Sequence, residues 1–536
     1  VTADAADTAD PQGAPVDPGL ARNTAVMAAG TVLSRLSGFG RVLALAYVLD
    51  FRRLSDSYNL ANNTPNIVYE LVLGGVLSAT LIPVVVEQLA HRDEDRAWRN
   101  ISALTTAAVV VMVAVSALFA LAAPVFIDLY TLGNHTASLA DQRAVATLLL
   151  RLFAPQVLLL GLITLATAVL NVRRRFAAPT WSPILLNLWT IGAYVVFAHV
   201  AKRLTLAAVR HDTRALVVLG VGTTLGYLVQ LLAMVPSLKR SGVRLRWVWE
   251  PANDAVRLTV RLSSWTIGVV VANQLSWWII TVLANGRDGD VSAFNAAYLF
   301  FQLPHAILAV SIMSALMPGL SERWAAGDRA GFSADIGTGL RATAAVLVPA
   351  AIGYAILAHP FVHAVLQHGR LSASAAETTG DVLLLFAVGL PGFSLYLLLM
   401  RAFQAMKDTR TMFLLYLGEN VLSAAAAFAL YPALGVQGLA LAFAGPYTLF
   451  CVVALARLQH QAGGIDLAGL GRSLVRVAAA GAVMGVVVAA VAHVLAGDLA
   501  RVLCAVGAGA GVYVLLAKAM GLEEFLTLLR IGRRTS

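Results

Sequence analysis

The sequence predicts an all-α polytopic membrane protein of about 14 transmembrane helices. Three observations predict it. The hydrophobic fraction is 59% and the charged fraction only 13%, against roughly 25% charge in soluble domains. Apolar runs of membrane-spanning length recur from Ala25 to Met520, and about 20 such residues suffice to cross a bilayer. The runs are continuous, whereas the strands of a membrane barrel alternate apolar and polar residues over about 10 positions.

By run length the spans fall near 24–50, 57–89, 98–128, 144–170, 180–201, 214–238, 256–285, 292–320, 334–358, 377–404, 411–430, 436–458, 472–495 and 500–520. Residues 1–23, rich in Ala, Asp and Pro, read as a disordered cytoplasmic tail. Residues 521–536 form a second cytoplasmic tail. Lys and Arg set the orientation: with both termini in the cytoplasm, inner loops and ends hold roughly 22 basic residues against roughly 9 outside. One loop, with Lys202, Arg203, Arg210 and Arg214, runs against that bias. The formal charge of +10 therefore reads as topology, and no nucleic-acid partner is expected. Cys451 and Cys504 both lie in apolar runs, so no disulfide framework or metal spacing follows.

An internal repeat divides the chain. Pro65 … Ser78-Ala79-Thr80-Leu81-Ile82-Pro83 … Glu87 in the second span matches Pro304 … Ser314-Ala315-Leu316-Met317-Pro318 … Glu322 in the eighth. Phe153-Ala154-Pro155 followed by Arg173–Phe176 matches Phe386 to Pro391 followed by Phe403 and Lys407–Arg410. The offset is about 235 residues each time. Residues 24–238 and 256–458 then form two six-helix lobes around a central cavity, in parallel orientation. An interfacial linker, 239–255, joins them on the cytoplasmic side, and 472–520 supply two extra C-terminal helices. Within the linker, Leu245, Trp247 and Trp249 beside Arg244 and Arg246 suit a membrane-interface anchor. Duplicated helical halves are a transporter signature, because two bundles can rock around a shared cavity.

Charged residues inside spans are costly and mark candidate sites. The first span contains Ser34-Arg35-Leu36-Ser37-Gly38-Phe39-Gly40-Arg41. Arginine keeps its charge and grips phosphate oxygens with a planar fork of donors, so Arg35 and Arg41 suit a pyrophosphate. Gly38 and Gly40 between them are hinge candidates, since each glycine weakens a helix by about 1 kcal/mol relative to alanine. Glu70 in the second span could neutralise the arginines or hold them until substrate arrives. Asp56 at the outer mouth suits a gate or a helix N-cap. Glu419 and Asn420 in the eleventh span suit Na⁺ binding or proton exchange, or an interhelical contact. Asn273, Gln274 and Trp277 read as packing contacts, and Gln302 and His305, flanking Pro304, as cavity lining. No nucleotide loop, zinc motif or nucleophile elbow is present, so a transporter rather than an enzyme is expected. No cofactor is expected; Na⁺, H⁺ or the membrane potential would supply the drive.

Ser34-Arg35 … Gly38-Phe39-Gly40-Arg41, Ser55-Asp56-Ser57-Tyr58, Pro65-Asn66 and Pro83 together resemble the MurJ/MviN family. So do Asn171 … Arg175-Phe176 … Pro179 … Ser182-Pro183 … Leu186-Asn187, Gln367-His368-Gly369-Arg370 and Asp408-Thr409. The similarity spreads over spans 1–12, and an actinobacterial source is expected. The resemblance implies a two-lobed exporter fold that flips lipid II, the undecaprenyl-pyrophosphate-linked peptidoglycan precursor, across the bacterial cytoplasmic membrane. It implies that Arg35, Arg41 and Asp56 bind substrate; Ser34, Glu70 and Gln302 are further candidates for substrate binding in this chain. The last two spans would line a groove for the lipid tail. Expected partners are lipid II, membrane lipids and cell-wall synthesis proteins. The chain departs from many relatives at Val42, Tyr69, Glu70 and Gly74, and at Leu299 and Gln302, where relatives often carry Arg and Glu. Some actinobacterial members continue into a cytoplasmic kinase-like domain, so an extension past Ser536 is left open. Three alternatives stay open as well: a flippase for another polyprenyl-linked glycan, a cation-coupled drug exporter of the same superfamily, and a membrane scaffold for wall enzymes, in which Arg35 and Arg41 would be replaceable.

Overall fold

The computed structural model describes residues 18–71, 94–173, 175–243, 245–250, 264–522 and 525. Every regular element among them is helical, as the uninterrupted apolar runs require, because a backbone in lipid must satisfy its own hydrogen bonds. Thirteen helical stretches are long and apolar enough to cross a membrane. The second expected span begins as a helix, and its remainder, from residue 72, lies outside the described residues. The expected repeat residues Ser78–Pro83 and Glu87, the departure at Gly74, Arg244 of the linker and most of both tails lie outside the described residues.

The first half comprises α1 (Pro18–Leu49), α2 (Arg53–Tyr69), α3 (Glu94–Leu121), α4 (Ala123–Tyr130), α5 (Leu139–Phe153), α6 (Pro155–Val172), α7 (Ala177–Val200), α8 (Leu206–Arg210) and α9 (Thr213–Arg240). The second half begins with α10 (Ser264–Ala284) and α11 (Asp290–Pro304). After Pro304 a π-turn, His305–Ala309, leads into α12 (Val310–Ala325). Proline cannot donate an intrahelical bond, and π segments often accompany functional positions. Then follow α13 (Arg329–Leu366), α14 (Ala373–Ala405), α15 (Thr409–Leu434) and α16 (Val436–Ala462). Two further helices, α17 (Leu467–Val494) and α18 (Asp498–Ala519), complete the described chain.

Helix starts follow from local chemistry. Asp212, Asp328, Ser372, Asp408 and Asp466 each accept a backbone N–H in the first turn of α9, α13, α14, α15 and α17, satisfying a donor that the helix cannot.

The repeat reappears as a packing pattern. In the first half α1 packs on α7, α2 on α5, α6 on α9 and α7 on α9. In the second, α10 packs on α15, α11 on α14, α14 on α16 and α15 on α16. These are the same pairings between equivalent spans. Largely separate apolar cores fill the halves, one around Phe153, Phe197 and Leu219 and one around Phe301, Phe386 and Phe403. A further core joins α17 and α18 to α13. Beside it lies an apolar cavity of about 470 Å³ lined by Pro349, Tyr354, Phe361, Val506 and Tyr513.

In the linker, the backbone N–H groups of Arg246 and Val248 donate to Ser102 and Thr106 of α3, at 3.1 and 3.2 Å. Leu245, Trp247 and Trp249 are left exposed, as a membrane-interface anchor requires.

Close packing of α14 on α16 depends on Gly389. A Cβ there would stand 2.2 Å from Ala444 Cβ and 2.9 Å from Ala444 Cα, so backbone would have to move. Gly389→Ala should therefore lower the melting temperature in detergent, at an overpacking cost of about 1–3 kcal/mol. Gly192, whose added Cβ meets nothing within 4 Å, is the control, and Gly192→Ala should melt at or above wild type. Equal melting of both variants would contradict this packing account.

Candidate functional site: a two-chambered cavity sealed at one end

The halves meet through hydrogen bonds at the end where α1 finishes and α2 begins. Asp56, in the first turn of α2, is fully buried. Its carboxylate accepts from the backbone N–H of Gly289 (2.7 Å) and of Ser292 (3.0 Å), and from Ser292 Oγ (2.7 Å). Gly289 is the N-cap of α11. Of the two expected roles for Asp56, the structure shows a cap, but on the helix of the opposite half, while Arg52 stands at the N-cap of its own helix.

The local sequence makes this approach feasible. Gly289 has φ +85°, and a Cβ would stand 2.1 Å from the carbonyl oxygen of Phe51; only glycine fits. Around the aspartate, Arg53 Nη1 donates to the Asn285 carbonyl at 2.7 Å, and Gln142 Nε2 donates to Asn285 Oδ1 at 2.6 Å. Ser55 and Ser292 hydroxyls lie 2.9 Å apart. Nearby, Asp50 Oδ1 accepts from the N–H of Ser372 at 3.2 Å, and Arg370 N–H donates to the Tyr47 carbonyl at 3.2 Å. Gly369, with φ +69°, lies flat against the Tyr47 ring.

The contacts of Arg53, Ser55 and Asp56 join residues 232 to 237 apart. That is the repeat offset, so the seal pairs equivalent corners of the two halves. Arg53, Gln142, Asn285, Gly289 and Ser292 escaped the sequence reading, although the offset was a signal that could have found them.

Behind the seal lie two connected chambers. One, of about 500 Å³, is bounded by α1, α2, α10, α11, α15 and α16. The other, of about 720 Å³, lies farther from the seal between α1, α6, α7 and α11. Arg41, Val42, Leu299 and Gln302 line both. Arg35, Ser34 and Gly38 line the second, and Glu419 and Asn420 the first. The helical rise separates Arg35 from Arg41 by about 9 Å along the axis.

Arg41 is half-buried beside the Tyr58, Tyr194 and Tyr227 hydroxyls. Tyr194 donates to Tyr58 at 2.9 Å, and the Tyr58 and Thr223 hydroxyls lie 3.2 Å apart. Among the described residues no carboxylate forms an ion pair with Arg35 or Arg41. Glu70, expected beside them, ends α2 half-exposed, lines neither chamber and forms no such pair. Two guanidinium groups lining a membrane cavity, with no carboxylate partner among the described residues, suit an anion, since their charge needs a counter-charge away from water.

Helix α1 runs unbroken through Gly38 and Gly40. A Cβ would stand 3.5 Å from Asn187 Nδ2 at Gly38 and 3.9 Å from Ile191 Cδ1 at Gly40. Both distances are ordinary contacts, so packing demands glycine at neither. Asn187 Nδ2 donates to Ser37 Oγ at 3.0 Å, tying this stretch to α7.

Glu419 is buried and its Oε2 has no hydrogen-bond partner among the described residues. Asn420 Nδ2 donates to Asn273 Oδ1 at 2.6 Å. Ser423 Oγ, one turn on, is also buried without a partner. Asn273, Gln274 and Trp277, expected as packing residues, line the first chamber. His305, expected to line the cavity, does not: its Nδ1 lies 2.9 Å from Ser394 Oγ. It borders a separate pocket with Met313, Met400 and Arg401.

Known proteins match this architecture. A family model described as "Lipid II flippase MurJ" matches residues 45–506. The lipid II flippase MurJ of Burkholderia cenocepacia is 26% identical over 419 residues, 77% of this chain and 78% of that protein. The probable lipid II flippase MurJ of Vibrio cholerae is 26% identical over 405 residues, 73% of this chain and 74% of that one. Among solved structures, lipid II flippase MurJ in an inward closed conformation superposes with a TM-score of 0.76 at 16% identity, covering 92% of this chain and 98% of its own. An inward-facing multidrug resistance MATE family transporter gives 0.66 at 11% identity, covering 80% and 95%. The likeness of fold is shared with drug transporters, but the family model spans far more than half of the sequence, and the chain belongs to the MurJ family.

Proposed function

We propose that this chain is a transporter that flips lipid II across the bacterial cytoplasmic membrane by alternating access. The observation that carries the reading is the pair Arg35 and Arg41, without carboxylate partners among the described residues, in a cavity closed at one end by a seal between two repeated halves. Family membership supports lipid II as the substrate, and the guanidinium groups suit its pyrophosphate. With the N-terminus in the cytoplasm, α1 ends outside and the sealed end faces outward, so the cavity opens inward and receives a cytoplasmic headgroup. Asp56 then acts as the outer gate. Gly38 and Gly40 lower the cost of bending α1 when the gate exchanges sides.

The tail stays in lipid, with the apolar groove of α13, α17 and α18 as its berth. An inside-negative potential favours outward movement of the anion, by about 2.3 kcal/mol per charge per 100 mV. Glu419, with Asn420, Asn273 and Ser423, is the coupling site for Na⁺ or H⁺, because a buried carboxyl with an open oxygen can take up a cation or a proton. A drug exporter needs no paired arginines, whereas the lining here carries Arg35, Arg41 and a row of side-chain amides.

In cells depleted of their own lipid II flippase, wild type should restore growth, whereas Arg35→Ala and Arg41→Ala at matched membrane expression should plate at least tenfold lower. Full rescue by both variants would remove the arginines from the mechanism. In proteoliposomes, Glu419→Gln should abolish stimulation of flipping by an imposed Na⁺ or H⁺ gradient while retaining lipid II binding. Unchanged stimulation under both gradients would place coupling elsewhere.

A further inference from the structure

The two chambers differ in chemistry. The one farther from the seal carries both arginines. The one next to the seal is walled by side-chain amides: Asn62, Asn63 and Asn66 of α2 face Asn273, Asn295 and Gln302 of α10 and α11. The three α2 residues sit at positions i, i+1 and i+4, so they share one helix face.

Asn273 is engaged by Asn420 and Gln302 by Tyr298, but the other four amides are not consumed by contacts among the described residues. Asn63, Asn66 and Asn295 make no side-chain hydrogen bond to any described residue. The Oδ1 of Asn62, a buried residue, has no partner either. A buried amide oxygen left open costs free energy unless a ligand or water fills it. Arg41 at the border is the only cation lining this chamber among the described residues. Each amide offers donors and an acceptor at once, which complements hydroxyl, acetamido and peptide groups. A carboxylate would find acceptors beside it and no second cation.

We infer that the amide chamber is the specificity site, reading the neutral hydroxyl- and amide-bearing part of the headgroup while the arginine chamber holds its phosphates. The inference rests on the cavity being the headgroup site. It also sets the orientation: phosphates toward the open end, carbohydrate toward the seal. Affinity is thereby divided between a charge term common to any polyprenyl diphosphate and an amide term that distinguishes what is attached to it.

The test compares two probes on purified protein in nanodiscs: undecaprenyl diphosphate, which carries phosphates alone, and lipid II. Wild type should bind lipid II more tightly. Asn62→Ala with Asn63→Ala removes no hydrogen bond between described residues, so the fold should persist. That double variant should lose about tenfold in lipid II affinity and keep its affinity for undecaprenyl diphosphate, which doubles as the folding control. Arg41→Ala should weaken both probes. Wild-type affinity of the double variant for lipid II would overturn the amide assignment and leave the flippase reading standing, as would an equal loss for both probes. Failure of wild type to bind either probe would bring down the flippase reading itself.

Discussion

The arrangement of this protein depends on one carboxylate placed across a pseudo-symmetric interface. Asp56 caps α11 from the opposite half with three hydrogen bonds. A helix start carries unsatisfied N–H groups and partial positive charge, so a buried carboxylate is a strong partner there. The contact draws α2 and α11 together at one end, and the space between the halves widens away from it. Both chambers are consequences of that convergence. The absence of a Cβ at Gly289 lets Phe51 and α11 approach closely enough for the cap to form.

The seal is polar, and that suits a gate. Exchanging a hydrogen bond within protein for one with water changes free energy little, by about 0.5–1.5 kcal/mol. An apolar seal of the same extent would lose its full burial energy on opening. The repeat then supplies two equivalent bundles that can part at one end and meet at the other. The two bundles have largely separate apolar cores, joined through Ala46, Phe51, Leu60 and Tyr130 near the seal, so rocking need disturb little internal packing.

Much of this was legible in the sequence, for physical reasons that also explain what was not. Run length and hydropathy report lipid exposure directly, so the spans and the all-helical fold could be read off. Arg35 and Arg41 stood out because membrane burial makes an arginine expensive wherever it lies. Asp56 was marked for the same reason, yet its partner was not, since a cap supplied by a helix more than 230 residues away leaves no local spacing. Glu70 was misplaced because a residue's facing depends on helical phase, which depth alone does not give. His305 pairs with Ser394 and borders a separate pocket, a tertiary contact that its place beside Pro304 does not reveal. The amides of α2 passed unnoticed because asparagine in a span is usually interhelical packing, and only the open chamber shows otherwise.

The most direct test of this account measures the sealed end itself. Spin labels would be placed at Leu132 and Leu434, exposed positions at that end on opposite halves, with Cys451 and Cys504 replaced by alanine. Pulsed electron resonance should give one short distance for wild type at rest. With Asp56→Ala, a second and longer population should appear, because α11 loses its cap and the halves part. Identical distance distributions for the two proteins would contradict the claim that Asp56 holds the gate.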